Sequence, residues 1–156
     1  MHISLVAVAG RASAWVAEAI ARYQKRLPRE WQFDARILPP AKSTASSDAN
    51  GRKQDEWRRI QKLLNDKHVL VLLDERGKSL TSRDLATRIA DWQADGRNVT
   101  FIIGGPDGIA QECRSRADLI LCPSALTMPH EMARIVLMEQ LYRAKTIIDG
   151  HPYHRD

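Results

Sequence analysis

Cysteine is scarce in this chain: two in 156 residues, Cys113 and Cys122, nine positions apart. They make no C-x-x-C pair and no histidine stands beside either, so a structural zinc site or a disulfide framework has little to build on. Both are expected to be reduced, packed thiols of a cytosolic protein, with a disulfide or metal role as the lesser alternative. Long apolar runs are missing as well. The longest, HVLVLL (68–73) and VTFIIGG (99–105), are strand-length, far short of the roughly 20 residues of a membrane span. The N-terminus, MHISLVAVAG, has no cationic stretch ahead of its apolar part and alternates like a strand, so no signal peptide is expected. The expected location is cytoplasmic, with no membrane partner.

Three motifs are present only as fragments. GKS at 77–79 has the end of a P-loop, but Leu72 stands where that loop needs its first glycine. HEMAR at 130–134 puts Arg134 at the second ligand position of a zinc-protease H-E-x-x-H, and a guanidinium cannot ligate Zn²⁺. GGPDG at 104–108 lacks the G-x-G-x-x-G register of a dinucleotide fold. ATP, zinc and NAD sites of the usual kinds lose support, and no metal is expected.

What is present is ordinary in amount and regular in order. Apolar residues make up 44 % and charged residues 28 %, and the formal charge is +5. That balance permits nucleic-acid binding without demanding it. One domain over 1–156 is expected. ISLVAV (3–8) reads as a strand, and a helix follows over Ser13–Arg26 with Val16, Ala19, Ile20, Tyr23 and Leu27 at helical spacing. FDARIL (33–38) is a second strand with a rigid exit at Pro39-Pro40. AKSTASSDANGRK (41–53) is the one low-complexity segment, long for a loop and therefore mobile or functional. A helix is expected over Gln54–Asn65, a strand buried on both faces over 68–74, and a helix capped by Thr81 and stopped at Gly96. Strands over 98–105 and 117–122 and a long helix over Pro129–Ile148 complete the chain. Alternating strands and helices imply an α/β fold, a mostly parallel sheet with helices on both faces.

In such a sheet LLDERGK (72–78), IIGGPDG (102–108) and LCPSALTMP (121–129) all lie at carboxyl ends of strands, where ligands of open α/β sheets bind. Gly104 and Gly105 let backbone approach a flat ligand. Ser124–Met128 offers main-chain groups and small side chains that suit an adenine edge and an apolar, sulfur-bearing ligand. Each segment alone also fits a plain turn or helix entrance, with Ser124 or Thr127 as cap and Glu131 in the first turn. The last helix carries two apolar stripes. Ala133, Val136, Leu137, Leu141, Ala144 and Ile148 form one, and Ile135, Met138 and Tyr142 the other. The second implies either a partner subunit or a central position within one chain.

LLDERGKSLTS, FIIGGPDGI and SALTMPHEMARIVLMEQLYRA…PYHR, in this order, resemble the RlmH family of SPOUT-class RNA methyltransferases. The resemblance covers the chain and is densest from Val69 to Arg155. It implies a C-terminal trefoil knot, a homodimer, S-adenosyl-L-methionine as cofactor, and methylation of N3 of a pseudouridine in 23S ribosomal RNA on the assembled ribosome. By position it places cofactor contacts on Leu73, Gly104, Gly105, Pro123, Ser124, Ala125, Leu126, Thr127 and Met128. Cys122-Pro123 departs from the serine-containing stretch usual in relatives.

Methyl transfer to an imide nitrogen gains from removal of its proton. The tail HPYHRD (151–156) then supplies His154 as candidate base, Arg155 as carbonyl or phosphate clamp and Tyr153 as stacking surface, as the catalytic set. The alternative for the tail is packing by Tyr153 and solvation of the rest. His130, Arg134 and Arg143 are secondary candidates. Lys25, Arg26, Arg52, Lys53, Arg58 and Arg59 are candidates for RNA phosphates or for a solvated face. His2, His68 and His151 are expected to be structural. Two rival functions are a non-catalytic RNA-binding protein of this fold and a nucleotide enzyme using GGPDG as an anion cradle.

Overall fold

A computed structural model of the chain describes residues 1–43 and 48–153. Five strands, β1 (Ile3–Val8), β2 (Asp34–Leu38), β3 (Val69–Ser79), β4 (Val99–Ile103) and β5 (Leu119–Cys122), form one sheet in the order β2-β1-β4-β3-β5. Every pairing is parallel. The period-two geometry of a strand divides each apolar run between two faces. Ile3, Leu5, Val69, Val71, Val99 and Phe101 turn to one side, and Val6, Val8, Leu70, Leu72 and Ile102 to the other. Helices α1 (Ala14–Gln24), α3 (Ser82–Ala94) and α5 (His130–Ile148) cover the first face, through residues such as Ile20, Ile89 and Leu141. Helices α2 (Ala49–Gln61) and α4 (Gln111–Arg116) cover the second through Trp57, Ile60 and Cys113. The α/β layers expected from the alternation of elements are present.

Local signals account for some element ends. Thr81 and Asp84 form a reciprocal capping box on α3, and Gly96 takes the left-handed conformation (φ +66°) just beyond it. Both cysteines are free and buried, and burial pushes the Cys113 thiol up to about 12. Two expected structural histidines are tied locally: His2 Nε2 lies 2.8 Å from Asp34, and His68 Nδ1 lies 3.0 Å from Thr100 Oγ1.

Four features differ from the sequence expectation. α2 begins at Ala49, inside the low-complexity stretch, because Asp48 accepts a hydrogen bond from the Gly51 N–H (2.6 Å) and starts the helix without any apolar periodicity. α4 is too short and too polar for a periodic signal. The second stripe of α5 is covered within the chain at two of its three positions, which favours the central-helix alternative there. Met138 is fully buried and Tyr142 packs toward Tyr23 of α1 at 6.3 Å between ring centroids, while Ile135 stays half-buried. Finally, β3 runs on through the polar residues Asp74–Ser79. Leu73 and Lys78 both pair with Leu121, so Asp74–Gly77 bulge out between two rungs of the same ladder.

Gly77 returns the bulge to the sheet at close quarters. A Cβ there would stand 2.7 Å from backbone atoms of Ile120 and Leu121. Backbone cannot step aside as a side-chain tip can, so Gly77→Ala is expected to cost about 1–3 kcal/mol of stability, read as a lowered urea midpoint at unchanged m-value.

Candidate functional site

β4, β3 and β5 are neighbours, so their carboxyl ends lie side by side. The segments that leave them enclose a cavity of about 620 Å³, within the range of small-molecule sites. Of the expected contact residues, Leu73, Gly104, Gly105, Pro123, Ser124, Leu126, Thr127 and Met128 line it. Ala125 lies exposed in the same loop without lining the cavity. Three segments separated by some twenty to thirty residues in sequence thus enclose one cavity.

Each wall is shaped by its own chemistry. At β4, Gly105 and Gly108 close a tight turn in which the Gly108 N–H donates to Gly105 O (3.0 Å), with Gly108 at φ +91°. A Cβ on Gly104 would stand 2.7 Å from Ile109 Cδ1, so the turn packs tightly only with glycine there. Pro106 has no N–H to give, the Gly108 N–H is used, and Asp107 puts a carboxylate on the rim. This is a poor cradle for phosphate, which disfavours the nucleotide-enzyme reading.

After β5, the Cys122 thiol donates to Ser124 O (3.0 Å) and Ser124 Oγ accepts from the Leu126 N–H (2.9 Å). These two bonds fold the loop. Among the described residues, no hydrogen bond engages the N–H groups of Ala125, Thr127 or Met128, which leaves main-chain donors for a ligand. The departure at Cys122-Pro123 is therefore a stiffened loop with Pro123 in the wall. α5 then starts after Pro129 with no side-chain cap, and Glu131 instead accepts from the Ser13 N–H (3.2 Å) at the start of α1.

The third wall is the β3 bulge. Asp74 accepts from the Arg76 N–H (2.9 Å) and pairs with Arg114 of α4, while Glu75 lies exposed along the same wall. Leu73, Ile103 and Met128 supply apolar lining beside these carboxylates. Main-chain donors, an apolar floor and nearby negative charge suit a ligand with a flat polar base and a cationic centre.

Sequence reasoning missed part of this site. Asn50 and Lys53 of α2, Gln111 and Arg114 also line the cavity, beside Asp74–Arg76 of the expected LLDERGK segment. The signal for Lys53 lay one turn ahead of Trp57 on the same helix, but the helix start was hidden. Of the secondary candidates, His130 lines the cavity. Arg134 is buried, its Nε and Nη2 without a hydrogen-bond partner among the described residues, and Arg143 donates to Glu139 (2.9 and 2.6 Å). Of the candidate phosphate contacts, Arg52 is committed to Asp107, Arg59 to Pro39 O (2.8 Å) and Arg26 to the Tyr142 ring face (5.5 Å).

Of the candidate catalytic residues, Tyr153 is not at this cavity within one chain. Tyr153 folds back along α5, where its hydroxyl donates to Glu139 (3.2 Å), its ring meets Tyr142 edge-on at 4.7 Å and Arg143 stands over it at 5.1 Å. Glu139 lies roughly 13 Å along the helix from His130, at 1.5 Å per residue. Burial first, and the negative charge of Glu139 next, push the Tyr153 phenol up to about 12, so it acts as a donor near neutral pH. His154 and Arg155 lie outside the described residues.

A profile of the family described as "Predicted SPOUT methyltransferase" matches residues 1–154. A ribosomal RNA large subunit methyltransferase H of Laribacter hongkongensis is 45 % identical over 156 residues, 100 % of both chains. Proteins of the same name from Thioalkalivibrio sulfidiphilus and Burkholderia mallei are 39 % identical over 100 % of both chains and 43 % identical over 99 % of both. Among solved structures, the SpoU methyltransferase AviRb of Streptomyces viridochromogenes, in complex with AdoMet, aligns at a TM-score of 0.45 and 14 % identity, over 96 % of this chain and 61 % of that one.

The rim carries a pH signature. Hydrogen bonds from Arg52 hold the Asp107 carboxyl below its ordinary value of 3.8. A depressed carboxyl stabilises the fold fully above 3.8 and loses that contribution as pH falls through the lower folded value. Asp107→Asn is therefore expected to lower stability by a constant amount at neutral and mildly acidic pH, with the difference closing below 3.8, as followed by chemical denaturation across a pH series.

Proposed function

The chain belongs to the SPOUT methyltransferase family, and from that premise we propose that it methylates large-subunit ribosomal RNA, at N3 of a pseudouridine of 23S RNA in the assembled ribosome. The observation that carries the cofactor half of this reading is the convergence of Leu73, the Gly104-Gly105 turn and the 123–128 loop on one cavity. The relatives' activity, ribosomal RNA large subunit methylation by name, supplies the RNA half.

S-adenosylmethionine, when bound, supplies a methyl group activated on a sulfonium. The residues present fit it. The N–H groups of Ala125, Thr127 and Met128 are available to a base edge, Leu73 and Met128 to its apolar faces, and the Asp74–Glu75 side to positive charge. The chain's own task is positional: in-line displacement needs the acceptor nitrogen held about 3 Å from the methyl carbon, with no covalent help. The imide proton at N3 must also leave. His154 is the base in this reading, Arg155 steadies charge on the flanking carbonyl, and Tyr153 donates a hydrogen bond or stacks on the target base.

Tyr153 rests on α5 rather than at the cavity of its own chain, so the tail serves the cavity of a second subunit. Support for a homodimer comes from an apolar fringe beside the cavity mouth. Leu126 is 79 %, Trp15 56 % and Met132 38 % exposed. Met132 adjoins Glu131, which accepts from the Ser13 N–H two residues before Trp15, so the first turns of α1 and α5 are neighbours. Large exposed apolar side chains grouped in this way favour self-association. The trefoil knot belongs to the same reading, as what the family resemblance implies.

With labelled methyl donor, wild-type protein is expected to label intact ribosomes, with the label mapping to N3 of a pseudouridine; labelling of no RNA at all refutes the reading. His154→Ala and Arg155→Ala are each expected to lower turnover by about 10²–10⁴-fold. Mixing a tail variant with a cavity variant such as Gly104→Val is expected to restore part of the activity, because a mixed dimer keeps one complete site. No recovery would mean that the tail works within its own chain.

A further inference from the structure

Glu56 is a carboxylate in an apolar place. It is 3 % exposed and stands next to Trp57, on the helix face that packs with Ile60 against Val6, Val8, Leu72 and Ile102. A charged side chain at such a position is costly unless it is used. Its contacts show the use. Oε1 accepts a hydrogen bond from the Ala41 N–H (2.8 Å), just past the Pro39-Pro40 exit of β2. On its other side is the glycine turn of the cavity: a Cβ on Gly105 would stand 2.6 Å from Oε2, 3.0 Å from Oε1 and 3.0 Å from Val8 Cγ1. The absent methyl group at Gly105 thus makes room for the Glu56 carboxylate.

Two neighbours on α2 reinforce the contact. Arg52 grips Asp107 with two hydrogen bonds (2.7 and 2.9 Å), and Gln54 reaches Glu112 at the start of α4 (2.9 and 2.7 Å). Residues 52, 54 and 56 therefore address positions 107, 112 and 105 in turn. Only Glu56 is buried, and only Glu56 touches the turn's glycines.

We infer that Glu56 is a positioning residue of the cofactor site: braced by Ala41 and the core, it sets the position of the Gly104-Gly105 backbone in the cavity wall. It touches no ligand and acts through Gly105. This inference rests on the reading of the cavity as the S-adenosylmethionine site. It also gives the Ala41 N–H a task, as one of the two supports on which the turn's position depends.

The test is calorimetric titration of S-adenosylmethionine into the full chain, with thermal melting of the ligand-free protein alongside. Glu56→Ala is expected to raise Kd about tenfold or more, while Glu56→Gln, which keeps the shape and an acceptor oxygen, stays within about twofold of wild type. Ile60→Ala on the same helix is expected to lower Tm with a much smaller rise in Kd, since it thins the packing behind the turn but leaves the Glu56 carboxylate against Gly105. Should Glu56→Ala fail to fold, Glu56→Asp, which withdraws the carboxylate by one methylene, must raise Kd instead. Undiminished affinity in Glu56→Ala, or an equal rise in Kd for Ile60→Ala, overturns the inference and leaves the cofactor reading intact. No binding by the wild-type chain overturns both.

Discussion

Parallel pairing is the constraint from which the site follows. In a sheet whose strands all run one way, every strand must leave at the same edge, and every connection must return outside it. The chain therefore delivers Leu73, Gly104 and Pro123 to one place although some twenty to thirty residues separate each from the next. None of these residues needs a special attraction for the others. Their proximity comes from the order β4-β3-β5 and from registers that align Leu73 with both Ile103 and Leu121. The apolar runs that bury both faces of the sheet thus also fix the cavity's position.

Polar contacts then determine the cavity's shape. The β3 bulge is drawn toward α4 by Asp74 and Arg114, the glycine turn is gripped from α2, and the loop after β5 is folded by the Cys122 thiol and the Ser124 hydroxyl. The three walls are stiffened by three different devices, two of which tie the cavity to α4 and α2 while the third is local to the loop. A site made mostly of main chain needs such bracing, because backbone donors can be aimed only by fixing the backbone itself.

How much of this was legible in the sequence depended on the range of the responsible interactions. Apolar runs such as ISLVAV and VTFII gave their strands directly, and Thr81 with Asp84 gave the start of α3, since each signal lies within a few residues. The glycine pair and SALTM stood out because unusual local composition marks them. α2 began early because one aspartate caps it, with no apolar repeat to announce it. β3 continued through ERGKS only because β5 was there to pair with it. Asp74–Arg114 and Glu56–Gly105 join residues forty or more positions apart, and nothing near either partner records the match. The second stripe of α5 was legible as apolar but not as covered by α1, because periodicity reports that a face is buried and not what buries it.

The placement of β1 has a consequence for how the chain is made. β1 is the first strand synthesised, yet its inner neighbour is β4, and Ile3 waits for Val99 to complete the pair. During translation only β2 can shield one edge of ISLVAV, and the other stays open until two-thirds of the polypeptide has emerged. Contacts of such long sequence separation form slowly, and an uncovered apolar edge invites association with other nascent chains. The interval between the birth of β1 and the arrival of β4 is thus when this small protein most needs a chaperone.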